Sequence, residues 1–155
     1  GESHPPYNSI PGTSGWHYSD AAAPISWGTY SEFIPDEVLV HNLEHGGVGI
    51  HYNCTEECGF LIRQLESMAK YTEGNWVDEY IATLDPEVDS TKLLQARQLK
   101  RNYKVVMSPY PAMDTPIVLT AWNFLDELEE FDEPRIQRFL LDHVSSPNAP
   151  EYFAR

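Results

Sequence analysis

The sequence predicts an α+β fold: a small, mostly antiparallel sheet packed on helices, with a long irregular N-terminal wrap. Three observations predict it. From residue 37 onward, stretches of helical period alternate with short apolar runs of strand character. The first 36 residues show neither period and are broken by Pro5-Pro6, Pro11-Gly12, Ser14-Gly15, Pro24 and Trp27-Gly28. The chain has 155 residues, a length at which one domain buries a full core. The expected organisation is a single domain over 1–155, with residues 1–36 as the wrap and 37–155 as the α+β core.

Each element has its own signal. Tyr7, Trp16, Tyr18, Trp27, Tyr30 and Phe33 supply apolar mass to pack the wrap. Residues 37–45 make a short helix that Gly46-Gly47 ends. Val48-Gly49-Ile50-His51-Tyr52 reads as a strand. Residues 56–71 read as an amphipathic helix with Phe60, Leu61, Leu65, Met68 and Ala69 on one face. Further helices are expected over 75–83 and from Asp89-Ser90 through Leu93, Leu94 and Ala96 to Leu99. Residues 103–107 and 116–122 are strands, with Pro109 and Pro111 bracketing a turn between them. Residues 123–130 are assigned to helix or loop. Asp132-Glu133-Pro134 joins a cap, an early acid and an early proline, so a last helix begins there and runs to about His143. Ile136, Phe139 and Leu140 face inward on it.

Charge narrows the function classes. Ten Lys and Arg stand against 24 Asp and Glu, a formal net charge of -14. A chain this acidic repels phosphate backbones and anionic lipid, which excludes nucleic-acid binding and electrostatic docking on an acidic membrane. No apolar run approaches the roughly 18 residues of a membrane-spanning helix. The start Gly1-Glu2-Ser3-His4 has neither a basic nor an apolar leader segment, and a chain beginning without Met is read as a processed form.

The two cysteines, Cys54 and Cys58, permit a small-loop disulfide, a zinc or Cu(I) dithiolate, or two free thiols. Thr55 reads as a helix cap, with Glu56 and Glu57 in the first turn and Cys58 at about the third position. Asn53-Cys54-Thr55 is formally a glycosylation sequon.

The chemical signal lies in six histidines. His41 and His45 stand at i and i+4, one turn apart on one helix face, the spacing of zinc or copper ligands. His17 and His4, on the wrap, complete the set. His51 alternates with Ile50 and is read as structural or exposed. His143 is read as complementing the dipole of the last helix. Met107 and Met113 add thioether sulfur, which tips the preference from zinc toward copper. His41-Asn42-Leu43-Glu44-His45 also fits H-x-x-E-H, in which two His bind zinc and Glu is the general base. Gly46-Gly47 and a strand follow at once, whereas such proteases need a long helix and a distant acidic ligand. Glu127, Glu129 and Glu130 are candidates for that ligand by type alone. Glu44 is better read as a partner that orients a histidine ring.

Three blocks carry a resemblance. They are Tyr7-Asn8-Ser9-Ile10-Pro11-Gly12-Thr13-Ser14-Gly15-Trp16-His17-Tyr18, Trp27-Gly28-Thr29-Tyr30, and Leu39-Val40-His41-Asn42-Leu43-Glu44-His45-Gly46-Gly47-Val48. Together with Ser108-Pro109-Tyr110-Pro111, Asp114-Thr115-Pro116-Ile117 and Thr120-Ala121-Trp122, they resemble the bacterial domain-of-unknown-function family 3105. Residues 73–101 depart from the pattern as an insertion would, and Gly12 and Trp16 stand where the family tends to have Pro. The resemblance implies an extracytoplasmic domain, exported or anchored at the outer face of a membrane, and puts emphasis on His17, His41, His45 and His4. It implies no activity.

The expectation is therefore an extracytoplasmic, non-catalytic domain binding copper in preference to zinc. Its role would be metal delivery, or service as an accessory subunit of a membrane-bound redox complex. The alternatives are a metal-free structural or interaction subunit, and a zinc-dependent hydrolase using Glu44.

Overall fold

The computed structural model describes residues 3–19, 23–54 and 56–155. Its elements run β1 (Gly28–Thr29), α1 (Asp36–Glu44), β2 (Val48–Tyr52), α2 (Gly59–Ala69), α3 (Trp76–Ala82), α4 (Ser90–Arg101), β3 (Val105–Pro109), β4 (Ile117–Ala121), β5 (Phe124–Leu128) and α5 (Glu133–His143). The fold is α+β. The five strands lie in the order β1-β3-β2-β4-β5. Most of the pairing is antiparallel, across β2, β4 and β5; β3 runs parallel to β2, and β1 parallel to β3.

The two faces of the sheet differ in chemistry because strand side chains alternate. Val48, Ile50, Tyr52, Val105, Met107, Ile117, Leu119 and Ala121 point to one face and form the main core with α2, α3, α4 and α5. Gly49, His51, Ser108, Val118 and Thr120 point to the other, under α1 and the wrap. There the His51 ring lies edge-on to Tyr110, whose hydroxyl donates to Asp36 Oδ2 of α1 at 2.7 Å. His51 Nε2 meets Thr120 Oγ1 at 2.7 Å, and the ring lies over Gly49, where a Cβ would come within 2.5 Å of it.

Several expectations are corrected. Residues 124–128 form a strand, because a two-residue turn at Trp122-Asn123 folds the chain straight back on β4. Asn123 takes a left-handed φ of 64°, which asparagine tolerates. The segment Gly28–Thr29 of the wrap is also a strand, pairing with β3 at the sheet edge. Helix α2 begins at Gly59, so Cys58 is its capping residue and Glu56 and Glu57 precede it. The cap expected at Thr55 lies outside the described residues. Phe60 points to solvent, and Ile62 takes the inner place beside Leu61. His143 stands in the last turn of α5 and packs between Phe124 and Phe139, where burial lowers its ring's pKa from the usual histidine range against a smaller raising effect of Asp142.

The wrap is tied down by specific hydrogen bonds. The Asn42 side chain accepts from Ile25 N at 3.0 Å and donates to Ile25 O at 2.9 Å, as a neighbouring strand would. Tyr18 N donates to Glu37 O, and Asn123 N to Thr13 O. Cys54 and Cys58 are joined as a disulfide between the end of β2 and the start of α2. Among the described residues no helix is long and apolar enough to cross a membrane.

Candidate metal centre

Helix α1 fixes the first two side chains. Asp36 and Glu37 occupy its first turn, where acids favour the positive end of the helix. Its C-terminus is closed by a paired-glycine motif: Gly46 N donates to Leu43 O and Gly47 N to Asn42 O, both at 3.0 Å. Gly46 adopts a φ of +84°, in the left-handed region that glycine enters freely. The helix therefore stops just past His45, and the last turn presents His41 and His45 together, with ring centroids 4.7 Å apart.

The outer nitrogens of the two rings are oriented by carbonyls. His41 Nδ1 donates to Tyr18 O at 2.6 Å, and His45 Nδ1 to Arg155 O at 3.3 Å. A carbonyl only accepts, so each Nδ1 carries the proton and, in the neutral rings, each Nε2 keeps a lone pair. Those two Nε2 atoms stand 3.1 Å apart. Glu151 Oε2 lies 3.1 Å from His45 Nε2. The donor atoms of His41, His45 and Glu151 all lie within 4.8 Å of one another.

A proton shared between two of the three atoms accounts for part of this convergence, and a metal ion would engage all three. Zinc at about 2.0–2.1 Å from two tetrahedral nitrogens holds them roughly 3.3–3.4 Å apart. The observed 3.1 Å is close to that spacing. The carbonyls at Nδ1 are the partners that metal-ligating histidines characteristically keep. His41 is buried, while the Glu151 side chain is about half exposed, so the cluster opens to solvent on one side.

The other predicted residues take different positions. His17 lies against His41, with ring centroids 5.0 Å apart. Its Nδ1 donates to Gly15 O at 2.9 Å, and its Nε2 meets Glu44 Oε2 at 2.8 Å. Glu44 thus orients His17, as the sequence suggests. His4 stands apart from the cluster. It stacks on Trp16 and pairs with Glu37 at 3.1 Å, where the Pro5 carbonyl and then the Glu37 carboxylate raise its pKa. Met107 lies in the main core and Met113 against Tyr110 and Val118, so the sulfur argument for copper loses its ligands. Glu127, Glu129 and Glu130 lie on or just after β5 and are not in the cluster.

Sequence reasoning missed Glu151 and the device that brings it in. The C-terminal segment crosses the end of α1: Ser145 N donates to Gly46 O at 2.8 Å and Glu151 N to Glu44 O at 2.9 Å. Lys104, 4% exposed, donates from Nζ to His45 O and Tyr152 O at 2.9 Å each, and to Ala154 O. A lysine leading an apolar strand was the one available sign that a buried cation had partners to find.

Fold and cluster together define a small α+β domain in which two histidine nitrogens and a carboxylate oxygen, atoms of a kind that can hold a metal ion, meet at a helix end. The chain belongs to the family described as Protein of unknown function (DUF3105), whose model matches residues 2–155. That span includes residues 73–101. No curated protein and no solved structure matches the chain.

Proposed function

We propose that this chain is a non-catalytic, extracytoplasmic metal-binding domain, taking one ion at His41, His45 and Glu151. The convergence of three donor atoms, with both histidines oriented through Nδ1 by carbonyls, carries the reading. His17, held by Glu44 and packed against His41, borders the ion's site. An N₂O donor set suits zinc and copper(II) alike. The engagement of Glu44 with His17 supports a binding role over hydrolysis, because the base that hydrolysis requires is occupied. The half-open face suits metal delivery or an accessory place in a membrane-bound redox complex. The disulfide is in keeping with an oxidising compartment.

A second reading has its own observation. His4–Glu37, His17–Glu44 and His45–Glu151 each tie the wrap or the C-terminal segment to α1, so the histidines could serve as clasps in a metal-free interaction subunit.

Titration calorimetry with zinc and with copper(II) separates the two. Wild-type protein is expected to bind one ion, His41→Ala/His45→Ala none, and His17→Ala one ion with weaker affinity. Absence of binding by folded wild-type protein would leave the clasp reading standing.

A further inference from the structure

Lys104 has no part in the donor set, yet it is the most thoroughly buried charge near it. Its ammonium meets three carbonyl oxygens, of His45, Tyr152 and Ala154. One belongs to a ligand and two to the residues just after Glu151. An ammonium has three hydrogens, so the three acceptors saturate it. Burial pulls the lysine down from its usual range, and the carbonyl dipoles hold the charge in place.

Two of these bonds tie the C-terminal segment down. Residues 149–155 form turns and no regular element. Glu151, Tyr152 and Phe153 are exposed, and Phe153 is 76% so, which leaves little apolar burial to order them. Its other ties to the end of α1 are Glu151 N to Glu44 O, the Glu151 carboxylate to His45 Nε2 at 3.1 Å, and the long contact from His45 Nδ1 to Arg155 O.

Given the ion proposed above, we infer that Lys104 is the positioning residue of this metal site. It pins the C-terminal segment across the end of α1, and so delivers the Glu151 carboxylate to the two histidines. Groups that orient ligands from behind characteristically change metal affinity about 10–100-fold when removed.

The test is a double-mutant cycle on zinc affinity, read by competition with a chromophoric chelator. Lys104→Met is expected to weaken zinc about 10–100-fold. Glu151→Ala is expected to weaken it similarly, and Lys104→Met in the Glu151→Ala background to cost little more. Lys104→Arg, which keeps donors, recovers part of the loss. An equal loss from Lys104→Met with and without Glu151 would overturn the assignment, because Lys104 would then act elsewhere. Unchanged affinity in folded Lys104→Met would do the same. If Lys104→Met does not fold, the wild-type protein still decides: zinc is expected to shift the Lys104 ammonium NMR signal, and Glu151→Ala to abolish that shift. A signal unmoved by zinc would contradict the inference. Wild-type protein that binds neither zinc nor copper(II) defeats the metal reading itself, a result distinct from any of these.

Discussion

At the scale of single residues, histidines do three different things here. His41 and His45 aim lone pairs at a shared point, His4 and His17 pair with carboxylates, and His51 is buried between Thr120 and Tyr110. Burial alone pushes the His51 ring down to about 3. The unfolded chain takes up that proton near pH 6.5, while the folded chain resists it. The site's contribution to stability is therefore complete above pH 6.5 and is lost as pH falls from 6.5 toward 3. The slope is up to about 1.4 kcal/mol per pH unit for one proton. His51→Gln can still bond Thr120 but does not titrate. Urea midpoints between pH 4 and 7 are expected to fall less steeply in the variant, by about one proton; parallel curves would mean that His51 is not the group.

The sequence made part of the site legible at this scale. The i,i+4 spacing of His41 and His45 needs only one helix turn to become a pair, and a glycine pair marks where that turn ends. Glu151 was invisible because its relation to His45 is set by chain packing, and its neighbours have the composition of an ordinary surface turn. His4 misled because proximity in sequence to His17 says nothing about which acid each ring will meet.

At the scale of elements, α1 is the part on which wrap, sheet and C-terminal segment all converge. Two positions hold it. Asn42, 1% exposed, completes both backbone bonds of Ile25. A Cβ at Gly47 would lie 2.5 Å from the Trp27 ring and 2.8 Å from Asn42 O. Asn42→Ala is expected to cost about 1–3 kcal/mol by leaving a buried donor and acceptor unpaired. Gly47→Ala is expected to cost about 1–3 kcal/mol by overpacking. Chemical denaturation checks both, and a change below about 0.5 kcal/mol in either would show that the wrap is held by other contacts. Helix positions were readable from period and caps, because local rules decide them. Strand β5 was not, since Phe124-Leu125-Asp126-Glu127-Leu128 has one buried end and an acidic middle; only its hairpin with β4 makes it a strand.

At the scale of the whole molecule, an acidic chain folds around a few cations with assigned places. Lys104 is saturated by carbonyls, and Arg135 pairs with Asp126 and Arg138 with Asp142 at the surface. A net charge of -14 favours taking up a further cation, and the cluster at the end of α1 offers it three donors already assembled. The α+β class followed from composition and period, whereas the meeting of residues 41, 45 and 151 is a property of the folded chain alone.

The most direct test is the metal content of protein purified without chelator or affinity tag, measured by mass spectrometry beside His41→Ala/His45→Ala. The account predicts about one zinc or copper per wild-type chain and none in the variant. Metal-free wild-type protein that stays metal-free after zinc and copper are supplied would contradict it.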